Sequence, residues 1–167
     1  VEGLNIKIDE LIKFYVNEMG WNILPLDKNK KLTYEKWKRY QTEFYPIDKL
    51  LSHEGNFAVV QGKISGNFIK LDFDTHFTCG YSTHQLYRMI LEKCPELKNC
   101  IAIKSQSGAV HIGVYLTDMD VYKDLPRKNG VWCHIKGIKE IDIKGEGGLA
   151  VIPPSKINNN SYSFLKC

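Results

Sequence analysis

The segment Phe68-Ile69-Lys70-Leu71-Asp72-Phe73-Asp74 restricts the possible folds of this chain more than any other. Side chains alternate between faces along a strand, so Ile69, Leu71 and Phe73 form one face and Phe68, Lys70, Asp72 and Asp74 the other. Aspartate is depleted in strands because its side chain competes with the ladder and resists burial. Two of them beside a strong apolar face therefore need a partner. Their backbones lie roughly 6–7 Å apart, and their carboxylates can converge on a hard, oxygen-preferring cation such as Mg²⁺ or Mn²⁺. A bare D-x-D suits a solvated strand end equally well, so other segments have to decide.

Two more segments alternate in the same way. In Val110-His111-Ile112-Gly113-Val114-Tyr115-Leu116 the apolar face is Val110, Ile112, Val114 and Leu116, which leaves His111, Gly113 and Tyr115 opposite. Ser105-Gln106-Ser107-Gly108 precedes it, with hydroxyls and turn amides that can cradle phosphate oxygens. His111 can donate to a phosphate or ligate a metal. In Glu140-Ile141-Asp142-Ile143-Lys144 the isoleucines face inward and Asp142 shares its face with Glu140 and Lys144. Taken singly, each reads as an ordinary exposed strand. If the three share a sheet, their polar faces make one site.

The surrounding pattern sets the fold class. A helix is expected over about 7–19, with Gly20 as its stop. An extended piece follows at 22–26, where Pro25 argues for a sheet edge or a strand end. Thr33 is placed to cap a helix through Trp37 to Gln41, and Pro46 suits the first turn of a short helix through Leu51. Strands at 56–61 and 67–74 flank Gly62–Gly66, which reads as a hairpin loop. Ser82 caps a helix that contains Leu86, Met89 and Ile90 and ends at Pro95. A second hairpin is expected at 101–105 and 110–116, and 117–130 reads as mostly loop. A third strand pair spans 138–144 and 149–152 and stops at Pro153-Pro154. Helices first, then hairpins with one inserted helix, indicate an α+β domain on a mostly antiparallel sheet.

Composition narrows the function classes. A length of 167 residues suits one domain over 1–167. No apolar run is long enough to cross a bilayer, and no signal-peptide pattern opens the chain, so an intracellular, cytoplasmic, soluble protein is expected. The net charge of +4 permits nucleic-acid binding without requiring it. Lys28, Lys30, Lys31, Lys36, Lys38 and Arg39 lie among Tyr34 and Trp37, a mixture that binds phosphates and stacks bases or forms a solvated helix face. Five cysteines, an odd number with no C-x-x-C spacing, support neither a disulfide framework nor a structural zinc. A site from Cys94, Cys100, Cys133 and His134 stays open.

In order along the chain stand Ile69-Lys70-Leu71-Asp72-Phe73-Asp74, Ser107-Gly108-Ala109-Val110-His111 and Ile141-Asp142. The set resembles the hhhDhD/E, s-x-H and hD motifs of the archaeo-eukaryotic primase superfamily, specifically the prim-pol domains of plasmid, phage and archaeal replication proteins. Flanking segments are similar too: Trp21–Leu26 with Lys30-Lys31 and Trp37–Gln41, Asn56–Gly62, and Gly147–Ser155. The resemblance covers roughly residues 21–162. Ala109 departs from a common Gly, Lys31-Leu32 from Lys-Pro, and Lys144 from a common Arg, which trades bidentate phosphate geometry for a point charge.

The resemblance implies an RRM-like catalytic half beside an N-terminal α/β half, with helices packed on the sheets. It implies a DNA primase/polymerase that joins nucleoside triphosphates on a single-stranded DNA template and primer, with a fused or associated helicase. Asp72, Asp74 and Asp142 would carry Mg²⁺ or Mn²⁺, and His111 would join them in catalysis. Ser105, Ser107, Gly108, His111, Lys144 and Lys31 would bind the nucleotide. The chain does not open on Met, so it is expected to be part of a longer replication protein. Asp72 and Asp142 are expected on a solvated face, where alanine leaves the fold intact, and His111→Ala is expected to weaken nucleotide binding more than stability. A repair polymerase that only extends primers, a metal-dependent nuclease and a non-catalytic nucleic-acid-binding module remain as alternatives.

Overall fold

The computed structural model describes residues 7–29, 32, 37–74, 80–118, 120 and 141–165. Helix α1 (Ile8–Lys13) buries Ile12 and continues as a π-helical turn, Phe14–Glu18, that buries Tyr15. Gly20 then takes φ +65°, a left-handed conformation that ends the helix where the sequence places its stop. In chain order follow β1 (Ile23–Leu26), a 3₁₀ turn at Trp37–Gln41, α2 (Ile47–Leu51), β2 (Asn56–Val60) and β3 (Phe68–Phe73). Next come α3 (Thr83–Lys93), β4 (Ile101–Lys104), β5 (Val110–Tyr115), β6 (Ile141–Ile143) and β7 (Leu149–Ile152). Short strands β8 (Lys156–Ile157), β9 (Asn160–Ser161) and β10 (Ser163–Phe164) close the described part.

These strands form a three-stranded sheet, β1-β2-β7, and a five-stranded sheet, β10-β4-β5-β3-β6, beside the small pair β8-β9. All of their ladders are antiparallel. The α+β class and the mostly antiparallel sheet are as expected. In the larger sheet, β3, α3, β4, β5 and β6 follow one another with β3 and β5 in the centre, the split βαβ order of an RRM-like half. Pro25 lies in β1, an edge strand that tolerates its missing N–H.

Both apolar faces are covered. Ile69, Phe73, Ile112 and Ile143 pack under Leu86, Tyr87 and Ile90 of α3. A second core joins Ile12, Tyr15 and Leu50 from the N-terminal helical segments to Ile23, Phe57, Val59 and Ile152, and takes in Phe68 and Ile103 from the larger sheet. Ser82 caps α3 in a full capping box with Gln85, and α3 stops before Pro95, which opens a 3₁₀ turn.

Among the described residues, two of the expected hairpins do not form. β2 and β3 belong to different sheets, and so do β6 and β7. Every position of β2 is buried, so it needs an apolar layer on each face, whereas β3 has a polar face. Gly62, at φ +102°, and the 3₁₀ turn Lys63–Ser65 carry the chain from one sheet to the other. The second crossover runs alongside: Gln61 N–H donates to Gly148 O (2.7 Å) and Gly147 N–H to Gln61 O (2.9 Å). The Trp37–Gln41 segment is a 3₁₀ turn rather than an α-helix, with Tyr40 buried and Trp37 packed partly buried against the same cluster. Pro46 precedes α2 as its cap residue instead of sitting in its first turn. Thr33, Lys31 and most of 117–130 lie outside the described residues. Among the described residues, no helix is long and apolar enough to cross a membrane.

Candidate active site

Antiparallel register brings the three polar strand faces together. On β3, Asp72 stands directly opposite His111 of β5 on one side and Asp142 of β6 on the other. Its two oxygens are engaged separately. Lys70 Nζ lies 2.7 Å from Oδ2, and His111 Nε2 lies 3.2 Å from Oδ1. Burial alone would raise the Asp72 pKa, but the hydrogen bond from His111 and the charge of Lys70 outweigh it and hold the carboxyl well below its usual range.

The face is not the solvated surface that alternation suggests. Lys70 is 7% and His111 6% exposed. Leu149 and Val151 of β7, together with Tyr162, wall the opposite side of a cleft that Asp72, Asp74 and Lys144 also line. The Tyr162 ring lies 6.0 Å from that of His111, and its hydroxyl is pushed up to about 12 by burial and by the Asp72 charge. Alanine at Asp72 would leave the buried Lys70 ammonium without its ion-pair partner, so a cost in stability replaces the expectation of an intact fold. His111→Ala likewise removes a buried ring that holds Asp72, and its effect extends beyond nucleotide binding.

The β4–β5 turn closes one end of the cleft. Ser105 and Ser107 Oγ atoms lie 3.0 Å apart, and Ser105 N–H donates to Ala109 O (2.9 Å). Gly108 takes φ +90°, and its carbonyl accepts from Thr83 Oγ1 (2.8 Å), which fastens the turn to the start of α3. Gly108 therefore shapes the turn and lines a neighbouring depression with Ser82 and Thr83 rather than the cleft itself.

Charge is unbalanced on the β6 side. Burial raises the Asp142 pKa, and the Asp72 and Asp74 carboxylates raise it further. Burial lowers that of Lys144, and Lys70 lowers it further. Like charges directly opposite on paired strands cost roughly 0.2–1 kcal/mol. Asp142→Asn is therefore expected to raise the melting temperature at neutral pH by up to about 4 °C, since 1 kcal/mol is worth roughly 2–4 °C in a chain of this size. The sign follows from the raised pKa: the gap opens as pH rises through the titration of Asp142 and closes in acid, where the carboxyl is neutral. Thermal melts of both proteins from acid to neutral pH check this; an unchanged or lower melting temperature at pH 7 would mean that Asp142 makes a stabilising contact.

The donors suit a hard divalent cation in kind, since Asp72 and Asp74 of the β3 segment and Asp142 of the neighbouring β6 are carboxylates. They are not preassembled. Among the described residues no group of three His, Cys, Asp or Glu side chains is arranged to hold an ion, and Lys70 occupies one oxygen of Asp72. Cys94 and Cys100 are free thiols, while Cys133 and His134 lie outside the described residues.

Three residues of the site were given no role from sequence. Alternation puts Lys70 on the Asp72 face, and this was the available signal. Tyr162 reaches the cleft from far along the chain. Gln61 is fully buried at the crossover; its Oε1 accepts from Lys70 N–H (2.7 Å), and its Nε2 has no hydrogen-bond partner among the described residues.

The model of the bifunctional DNA primase/polymerase N-terminal family matches residues 13–167. The chain belongs to that family. No curated protein matches it. The prim-pol resemblance of the ordered motifs is thereby borne out, and with it the general class of activity, nucleotidyl transfer by a DNA primase/polymerase. The match spans both sheets and every residue of the cleft.

Proposed function

We propose that this prim-pol chain joins nucleoside triphosphates on a single-stranded DNA template, with divalent ions carried by Asp72, Asp74 and Asp142. One observation carries the reading: Asp72 stands in register between His111 and Asp142, so the three family motifs meet at one carboxylate. In the reaction a 3′-hydroxyl attacks the α-phosphorus, the new P–O bond forms, and pyrophosphate leaves with the electron pair of the broken bond. Bound Mg²⁺ or Mn²⁺ would activate the hydroxyl and stabilise the leaving group. Ser105 and Ser107 offer hydroxyl donors to the triphosphate, His111 a ring donor, and Lys144 a cation from the opposite side. Gly108 holds the turn in place, and Lys31 is assigned to the nucleotide by resemblance alone. The protein's part is positioning and electrostatic stabilisation of the charged transition state.

We take residues 1–167 as one catalytic unit of a longer cytoplasmic replication protein, working beside a fused or associated helicase. Labelled nucleotides offered with a circular single-stranded template, with and without primer, in Mg²⁺ and in Mn²⁺, test the reading. Product without primer is expected. Product with primer only would favour the extension-only polymerase, and shortening of an end-labelled strand would favour a nuclease.

A further inference from the structure

Lys70 is a buried cation in the cleft that the reaction above does not use. It precedes Asp72 by two positions on β3, so both side chains lie on one face, and the ammonium sits 2.7 Å from Asp72 Oδ2. A buried ammonium is costly unless paired, and among the described residues its ion-pair partner is Asp72. With His111 on the other oxygen, both oxygens of the carboxylate at the centre of the site are engaged. The charge of Lys70 also reaches Asp142, whose charged form it favours, and Lys144, whose charged form it opposes. Both groups lie on the β6 side of Asp72.

The backbone at this point is fixed. Lys70 N–H donates to the buried Gln61 Oε1 at 2.7 Å, and opposite Lys70 in register stands Gly113, where a Cβ would run into the Phe68 ring. Any movement therefore belongs to the side chain, a flexible four-carbon stem with a rotatable donor head. The anionic triphosphate of an incoming nucleotide offers that head a second partner.

We propose that Lys70 neutralises Asp72 in place of a divalent ion and passes to the triphosphate when nucleotide enters, so that nucleotide binding and divalent-ion binding are coupled. The inference rests on the reading of Asp72, Asp74 and Asp142 as ion carriers. Coupling of this kind is reciprocal: each ligand raises the affinity for the other by the same factor.

Mn²⁺ binding to the purified chain, followed by the electron paramagnetic resonance of free Mn²⁺, tests it with and without a non-hydrolysable nucleoside triphosphate. Control titrations of the analogue alone subtract the Mn²⁺ that it holds in solution. The wild type is expected to bind Mn²⁺ about tenfold tighter once nucleotide is present, within the usual range of coupling energies. Lys70→Met is expected to bind Mn²⁺ about tenfold tighter than wild type without nucleotide, and to gain little from adding it. Lys70→Gln removes the charge while keeping a hydrogen bond to Asp72, and it gives the same readout if the methionine variant melts early. Unchanged Mn²⁺ affinity and an unchanged nucleotide gain in the folded variants would overturn the proposal. Asp72→Asn separates the two levels: if it binds Mn²⁺ like wild type, the ion-carrier reading fails whatever Lys70 does.

Discussion

Asp72→Asn is expected to reduce nucleotide incorporation by on the order of 10³-fold or more while the protein stays folded. Asparagine keeps the shape and one oxygen acceptor between Lys70 and His111, and it loses the charge that would hold divalent ions. Such ions contribute several kcal/mol of transition-state stabilisation, and each 1.4 kcal/mol is about tenfold in rate. Asparagine is the informative replacement because alanine would strand the buried Lys70 ammonium and mix loss of chemistry with loss of stability. Single-turnover incorporation, read beside a thermal melt, distinguishes the two. Incorporation near the wild-type rate by the folded variant would remove Asp72 from the catalytic set.

The second large effect lies at the seam between the sheets. Trp21 is fully buried, with ring centroids 5.2 Å from Tyr15 and 4.5 Å from Phe68. Its indole N–H donates to the Tyr115 hydroxyl at 2.9 Å. One side chain thus joins the N-terminal helical segment to β3 and β5, on the same side of the larger sheet as Lys70 and His111. Trp21→Ala is expected to cost about 3–5 kcal/mol, the usual range for emptying a large aromatic site, against a total of roughly 5–15 kcal/mol for a native domain. The melting temperature should fall by about 6–20 °C. Urea titration measures the loss directly, and a cost under about 1 kcal/mol would show that the seam is held elsewhere.

Strand alternation made the catalytic faces legible. The contrast of Ile69, Leu71 and Phe73 with Lys70, Asp72 and Asp74 is a local, period-two signal, and the same holds for the strands of His111 and Asp142. Capping of α3 by Ser82 and the stop at Gly20 were local as well. The crossovers were not. Two strands separated by five residues look like a hairpin whether they pair or enter different sheets, and only the unbroken burial of Asn56–Val60 distinguishes β2 from β3. Burial of the polar face was hidden for the same reason. The residues that cover it, Leu149, Val151 and Tyr162, come from a part of the chain far from Asp72. Lys70 could be placed on the Asp72 face from its position, but its burial, which makes pairing with Asp72 necessary, comes from parts of the chain that its own segment does not reveal.

Extension of a 5′-labelled primer on four templates, differing in the first templating base and supplied with one deoxynucleoside triphosphate at a time in Mn²⁺, tests the proposed chemistry most directly. The primer should lengthen by one with the complementary nucleotide only, and neither chelator-treated wild type nor Asp72→Asn should lengthen it. Addition that ignores the template, a shortened primer, or undiminished extension by Asp72→Asn would contradict it.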